Sequence, residues 1–505
     1  MKRHQLPSAI ECRQQRLFKN EWYLLILADF FSNYQAQSTM TDFTLSALDR
    51  GAPRTYIRYA LTFACNANQC DATIEKLQKA TKRLVSEIPM LAGRVATSDQ
   101  RNPTITVTLQ QVNDFKATIA RPQIDDQNYA FIRGHGFAPR YISSVGYTPL
   151  ADDLIGDTNV CCTIQANMID GGLVLVIYLH HAVADIEGVA TIIRLMSEGL
   201  PARELSEESL ELEGTTVSQA RARLSSGTGI PAFLASARDV YRRQQLSVDQ
   251  VGSQGDHDTP AGEGISLGAN AAPTRAAILR FRLDVINETT EMINKRRLLK
   301  NRDTTDMITS RDVLIAILWR AFVRARWANG TQNTLHSSVA FPVDIRPDQV
   351  PPLEPHWMGN AEATAVATYD ANLLRGGYDL SYIELTVNTV HESAKLVSSD
   401  VRTRSRIEMI NESTSAAAPP ETQLIVHDWT LVPKMLDQEM DLGLGLGPPE
   451  AIRRIGRSFG TNEMVLLSED LQRQAWDVQV EVRGGYMTGI TADEGLSRFL
   501  RSVAL

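Results

Sequence analysis

The sequence predicts an α/β (α+β) protein of two domains, and three observations carry that reading. At 505 residues the chain exceeds what one hydrophobic core usually organises, so two domains of roughly 200 residues each are expected. A continuously apolar run at 173–179 (LVLVIYL) has the pattern of a strand covered on both faces, and it leads through a loop into a helical pattern from Val189 onward. Helix and strand patterns also recur on either side of a composition break between about 204 and 275.

Along the chain, residues 1–39 share no periodicity with the segments after them and read as an N-terminal extension. After Met40 the stretch TDFTLSALDRGAP reads as the start of a folded domain. The segment 71–83 (DATIEKLQKATKR) suits an amphipathic helix, with Ile74, Leu77, Leu84 and Ile88 at helical spacing and Pro89 as its end. Residues 103–110 (PTITVTLQ) alternate as a half-buried strand does. The helical pattern ATIIRLMSEGL should stop at Gly199 and Pro201. The N-terminal domain is placed at 40–210. A crossover linker comes next at 211–275, acidic and then Gly/Ser/Pro-rich, with one helical segment near 232–244. The C-terminal domain, 276–505, opens with strand-like ILRFRL and a basic helical stretch, INKRRLLKNR. It continues with the helix SRDVLIAILWRAFVRARW, which Thr309 or Ser310 could cap.

Composition excludes several classes. Hydrophobic content of 43% with 22% charged residues fits an ordinary folded protein. A net charge of -8 argues against a nucleic-acid binder, because phosphate-backbone binding wants a broadly basic face. The five cysteines (Cys12, Cys65, Cys70, Cys161 and Cys162) show neither a disulfide framework nor zinc-ligand spacing, so a reducing cytoplasm and no metal are expected. The apolar stretch at 22–31 carries Asp29 and is too short for a bilayer core of about 30 Å, and the residues around 31–39 match a signal cleavage site poorly.

The motif with chemistry is HHAVADIEG, where His181 and Asp185 form an H-x-x-x-D spacing at the end of the apolar strand. Loops at strand ends hold functional groups on a rigid frame. An imidazole with an ordinary pKa of about 6.5 can accept a proton at neutral pH and return it later. A strand-end histidine that bonds a neighbouring carbonyl is the competing reading. In DLGLGLGPPEAIRR, Asp441 precedes Gly443, Gly445 and Gly447, whose alternation allows close backbone approach or positive φ. Neither G-x-G-x-x-G between strand and helix nor a lysine-terminated P-loop occurs, so those loops bind no nucleotide. The cations Lys295, Arg296, Arg297, Lys300 and Arg302 form a local basic patch, read either as an anion site in an acidic protein or as a solvated helix face.

Taken in order, LSALDRGAP, IPMLAGRV, HHAVAD and DLGLG resemble the opening segment, the segment after the first helix, the catalytic motif and the DFGWG motif of the BAHD acyltransferases. The resemblance is to their fungal branch, close to trichothecene and ergot-alkaloid O-acetyltransferases. FPVDIRPDQVPPLEPHWMGNA adds a D-x-R, a proline-rich bend and a Gly-Asn at Asp344, Arg346, Gly359 and Asn360. This resemblance implies two chloramphenicol-acetyltransferase-like domains with a channel between them and His181 midway along it. It implies acyl-CoA, by default acetyl-CoA, as co-substrate rather than a tightly bound cofactor. It further implies a small-molecule alcohol of specialised metabolism as acceptor, no nucleic-acid or membrane partner, and a cytoplasmic monomer. His181 would be the general base. Asp185 would orient the loop by turning toward an arginine, for which Arg346 is the candidate, and Asp441 would brace the domains rather than act as acid or base. CoA phosphates would lie on the patch at Lys295, Arg296, Arg297, Lys300 and Arg302. The sequence departs from the family pattern in DLGLG for DFGWG, in Ile186 after the motif aspartate, and in His427-Asp428 before Trp429. Two other readings of the same fold remain open: a condensing or cyclising enzyme that forms amides, and a binding protein without chemistry.

Overall fold

The computed structural model describes residues 40–96, 104–122, 128–143, 145–149, 159–199, 201–225, 274–300, 306–328, 335–354, 357–412, 423–430, 442–456, 462–470 and 475–505. The extension 1–39, the segment near 232–244, Arg302 and Asp441 lie outside these residues. Among the described residues the strands, numbered along the chain, are β1 Met40–Thr44, β2 Tyr56–Ala64, β3 Arg94–Val95, β4 Thr104–Thr108, β5 Thr118–Ala120, β6 Cys162–Ile169, β7 Gly172–His180, β8 Thr274–Arg282, β9 His336–Asp344, β10 Glu362–Asp370, β11 Leu424–Asp428, β12 Ala451–Arg454, β13 Glu463–Asp470, β14 Ala475–Arg483 and β15 Leu500–Ala504. They form three sheets, ordered β1-β4-β3, β12-β2-β7-β6-β5 and β10-β9-β11-β13-β14-β8-β15.

The first lobe is organised around β7. All nine of its residues are buried, and it pairs antiparallel with β2 and β6, so its uninterrupted apolar run is spent on two covered faces. The alternation read at 103–110 becomes β4, whose Ile105 and Val107 point inward while its threonines lie at the surface. The helix Cys70–Glu87 buries Leu77 and Leu84, and Pro89 opens the short 3-10 turn beyond it. The helix after the H-x-x-x-D motif spans Ile186–Ser197 and starts three residues before Val189, because the Asp185 side chain caps it by accepting from the Glu187 backbone N–H.

Two boundaries differ from the sequence reading. The helix Glu207–Ala222 runs well into the stretch expected as linker and packs against β1. It buries only Leu210, Gly214 and Arg221, so its apolar periodicity is too sparse to read. The second difference is β12, which belongs to the C-terminal half yet pairs with β2 from Ala451↔Thr62 to Arg454↔Tyr59 at the edge of the first lobe's sheet.

In the second lobe the helices Leu283–Leu299, Ser310–Ala328 and Leu380–Ser398 belong to the core that includes one face of the seven-stranded sheet. Thr309 caps the middle helix, its hydroxyl accepting from the Asp312 N–H while the Asp312 carboxylate accepts from the Thr309 N–H. Strand alternation divides the sheet: Leu279, Met464, Leu466, Val478 and Val480 pack under these helices. Ile278, Val465 and Leu467 instead join the first lobe's core with Trp429, Leu442, Leu444 and Ile452. The lobes therefore share buried apolar side chains, each contributing about 1.5–3 kcal/mol when fully removed from water. His181 sits at this seam. No helix among the described residues is long and apolar enough to cross a membrane.

Candidate active site

His180 and His181 end β7 and part company there. His180 is buried, accepts the Ala182 N–H at Nδ1 (3.1 Å) and lies edge-on to Tyr56; burial, with Arg54 and His181 nearby, lowers its pKa to about 4. His181 is half-buried and fixed by its own N–H, which donates to the Thr55 carbonyl at 2.8 Å. Its Nδ1 lies 3.1 Å from Oδ1 of Asn360 in the other lobe.

The Asn360 amide fixes the tautomer of that imidazole. Asn360 Nδ2 donates to the His181 carbonyl at 2.7 Å and to Asp49 Oδ1 at 3.0 Å, both of which can only accept. Its Oδ1 is therefore the atom turned to His181, so Nδ1 carries the proton and Nε2 keeps the lone pair. Among the described residues nothing hydrogen-bonds Nε2. Burial lowers the His181 pKa, opposed by its backbone hydrogen bond, Asp185 and Asn360 and reinforced by His427, so the ring is neutral at physiological pH.

Asp49 is itself held on every side. It takes the Asn360 N–H at 2.8 Å, the Ser46 N–H at 2.9 Å and the Ser46 hydroxyl at 2.8 Å, and pairs with Arg221 at 3.3 Å. Arg221 is 1% exposed and also donates to the carbonyls of Val183 and Met358, which belong to the two lobes.

Asp185 faces away from His181 into a second bridge between the lobes. Arg346 Nη2 donates to its two oxygens at 2.8 and 3.0 Å, and the Ala361 N–H donates to Oδ2 at 2.8 Å. Arg346 also pairs with Asp344 and donates to the Gly359 carbonyl. Its pKa is raised: burial, the largest single effect, would lower it, and Asp185 together with Asp344 and Glu187 outweighs burial. This is the pairing expected of Asp185, and it leaves that carboxylate no free direction toward a reacting group.

Trp429 is 6% exposed and packs on Tyr59 at 5.1 Å between ring centres, inside the shared core rather than open to a ligand. Gly443 and Gly445 both take positive φ, 67° and 77°, as the alternating glycines suggested. A side chain at Gly443 would meet the Ser197 carbonyl, and one at Gly445 would meet Lys76, whose Nζ donates to the Leu444 carbonyl at 3.0 Å. The glycine turn is thus a dock onto two first-lobe helices. Asp441, just before it, is outside the described residues.

The basic helix is not a uniform patch. Arg297 is 2% exposed and turned inward to Asp306 and Asn388, which removes it from any anion-binding edge. Arg296 and Lys300 both pair with Glu384 from the exposed side, and Lys295 is exposed. Among the described residues no group of three or more His, Cys, Asp or Glu could hold a metal ion.

Three residues escaped the sequence reading as site members. Asp49 and Asn360 stood inside LSALDRGAP and MGNA, where only spatial placement turns a motif letter into a histidine clamp. Arg221, in the stretch read as linker, gave no signal.

Residues 163–496 match the Transferase family, and residues 55–199 match the trichothecene 3-O-acetyltransferase-like N-terminal domain. The chain belongs to the BAHD acyltransferases, in their fungal O-acetyltransferase branch. An O-acetyltransferase of Penicillium ochrochloron is 22% identical to this acyltransferase over 356 residues, covering 63% of this chain and 64% of that protein. The trichothecene 3-O-acetyltransferase of Fusarium sporotrichioides is 23% identical over 431 residues, covering 79% of this chain and 83% of that protein. The solved structure of the F. sporotrichioides protein with coenzyme A and T-2 superposes with a TM-score of 0.67 at 17% identity, covering 91% of the acyltransferase and 99% of that chain. Vinorine synthase gives 0.53 at 15% identity, covering 91% and 93%. These superpositions establish the two-lobed fold.

Proposed function

We propose that this acyltransferase moves an acyl group, by default acetyl, from coenzyme A to a hydroxyl of a specialised metabolite, with His181 as general base. The observation that carries the reading is the Asn360 clamp, which puts the proton on Nδ1 and leaves Nε2 of a neutral imidazole without a partner among the described residues. A base must be unprotonated and unencumbered at working pH. Nε2 would take the acceptor's hydroxyl proton as its oxygen attacks the thioester carbonyl. The tetrahedral intermediate would then expel the thiolate of coenzyme A, which recovers the proton from Nε2. No acyl-enzyme intermediate is required.

Asp185 acts as a brace, because its oxygens are committed to Arg346, Ala361 and Glu187. We assign Asp441 a bracing role as well, on the ground that the glycine turn beside it docks onto the first lobe. For the phosphates of coenzyme A the available cations of the basic helix are Lys295, Arg296 and Lys300. Several relatives are named as O-acetyltransferases of specialised metabolites, among them a fumigaclavine B O-acetyltransferase of Aspergillus fumigatus, which supports a specialised-metabolite alcohol here. The test is thiol release from several acyl-CoA donors against a panel of hydroxylated terpenoid, alkaloid and polyketide acceptors. Acceptor-dependent release lost in His181→Ala supports the assignment, and release with no acceptor dependence contradicts it.

A further inference from the structure

One carboxyl beside the site has no work in this mechanism. Glu362 opens β10 two residues after Asn360, and the ladder with β9 already includes the Ala361 carbonyl, which accepts the Ile345 N–H at 2.9 Å. In extended chain, residues two apart share a face. The side chain of Asn360 meets the His181 ring, so that of Glu362 is directed to the same side of the strand, beside the seam. Across the ladder Glu362 stands opposite Asp344.

The acids around Glu362 are all matched and Glu362 is not. Asp185 and Asp344 share Arg346, and Asp428 has Arg311 and Thr430. Arg346 also serves the Gly359 carbonyl and Arg311 the Pro342 carbonyl, and a third arginine, Arg406, donates from Nη1 to the Glu362 backbone carbonyl at 2.6 Å, not to its carboxyl. The Glu362 carboxyl has no hydrogen-bond or ion-pair partner among the described residues, although the residue is only part-exposed. An ionised carboxylate in such a place is costly without a cation. Burial, then Asp185, accordingly push its pKa well above the ordinary value, with Arg346 opposing.

We propose that Glu362 is a specificity-determining residue that takes the protonated basic nitrogen of the acceptor, so that the acceptor class is an amino alcohol. This rests on the acyltransferase reading of His181. An ammonium at Glu362 gives that carboxyl the ion-pair partner it has not found among the described residues and anchors the molecule beside the imidazole that activates its hydroxyl. No protein base other than His181 is needed, and no bond to Glu362 forms or breaks.

The experiment compares binding of quinuclidin-3-ol, cationic at neutral pH, with its neutral carbon isostere bicyclo[2.2.2]octan-2-ol, by calorimetry on the full chain and on Glu362→Gln. The wild type should bind the amine at least tenfold more tightly, and Glu362→Gln should bind the two alike. Glu362→Lys should bind the amine more weakly than the isostere. Melting temperatures check folding; Glu362→Gln should melt no lower than wild type, since an amide of the same size replaces a carboxyl that has no side-chain partner among the described residues. A wild type that binds the two equally, or binds neither, overturns the proposal, as does a preference that survives in Glu362→Gln. Acetyl-CoA binding is measured in the same samples: its absence in the wild type would count against the acyltransferase reading, whereas its presence without amine preference counts against Glu362 alone.

Discussion

Arg346 Nη2 donates to both carboxylate oxygens of Asp185, at 2.8 and 3.0 Å, across 161 residues of sequence and across the two lobes. Both partners are buried, Arg346 with a side chain 4% exposed and Asp185 with none. Neutralising one member of such a pair costs up to about 3–5 kcal/mol, and here Arg346 would keep only the half-exposed Asp344 as its counter-charge. Asp185→Asn should therefore lower the melting temperature and the turnover together. A variant with wild-type stability and reduced turnover would instead make Asp185 a participant in the chemistry.

Asn360→Ala removes the acceptor that fixes the His181 tautomer and two donors from the ring of contacts around Asp49 and the His181 carbonyl. One lost hydrogen bond of about 1–1.5 kcal/mol corresponds to about tenfold in rate. We expect kcat/KM to fall at least about tenfold in steady-state assays. Asn360→Asp should not rescue it, because a second carboxylate would face Asp49. Full activity in Asn360→Asp would refute the clamp.

Gly445→Ala places a side chain where φ is 77° and where Lys76 Nζ stands 2.6 Å from the new carbon. The left-handed conformation costs a non-glycine residue about 1–2 kcal/mol, and Lys76 must also leave the Leu444 carbonyl. Chemical denaturation should show at least that loss. Gly447→Ala is the comparison, since it has the same sign of φ, 79°, with open space around it, and should lose less.

Much of the fold and of the site is legible in the sequence where a local pattern and its structural cause coincide. The uniform burial of β7 shows as LVLVIYL, the alternation of β4 as TITVT, and the glycine turn as DLGLG. What escaped is what only long-range contact creates. The helix Glu207–Ala222 is held by a few buried residues, one of them a charged arginine, so neither periodicity nor hydropathy marks it. The transfer of β12 to the first lobe's sheet is a pairing choice that four residues cannot announce. The inward turn of Arg297 was hidden for a related reason: in a run of cations, only the presence of Asp306 decides which one is buried.

His391 gives the second lobe a pH dependence. It sits between Asp312, at 3.1 Å from Nδ1, and Asp306, at 2.7 Å from Nε2. Lys395 and Arg297 also face Asp306, and Arg311 adjoins Asp312. The hydrogen bond to Asp312 raises the His391 pKa, burial opposes it, and Asp306 adds to the rise. The stabilisation is thus complete below the unfolded value of about 6.5 and is lost as pH rises through the higher folded value. Melting temperatures of wild type against His391→Gln should converge as pH rises above that range. A gap that widens with rising pH would reverse the sign.

The role of His181 is tested most directly by acceptor-dependent thiol release from acetyl-CoA in His181→Ala and wild type, with the melting temperature of each recorded on the same preparation. Loss of a positioned base should reduce turnover by at least about 10²-fold. The melting temperature and acetyl-CoA binding should stay close to wild type, because among the described residues Nε2 holds nothing and the Nδ1 contact is one hydrogen bond. A normally folded His181→Ala protein that releases thiol at the wild-type rate would contradict the role of His181 as the base.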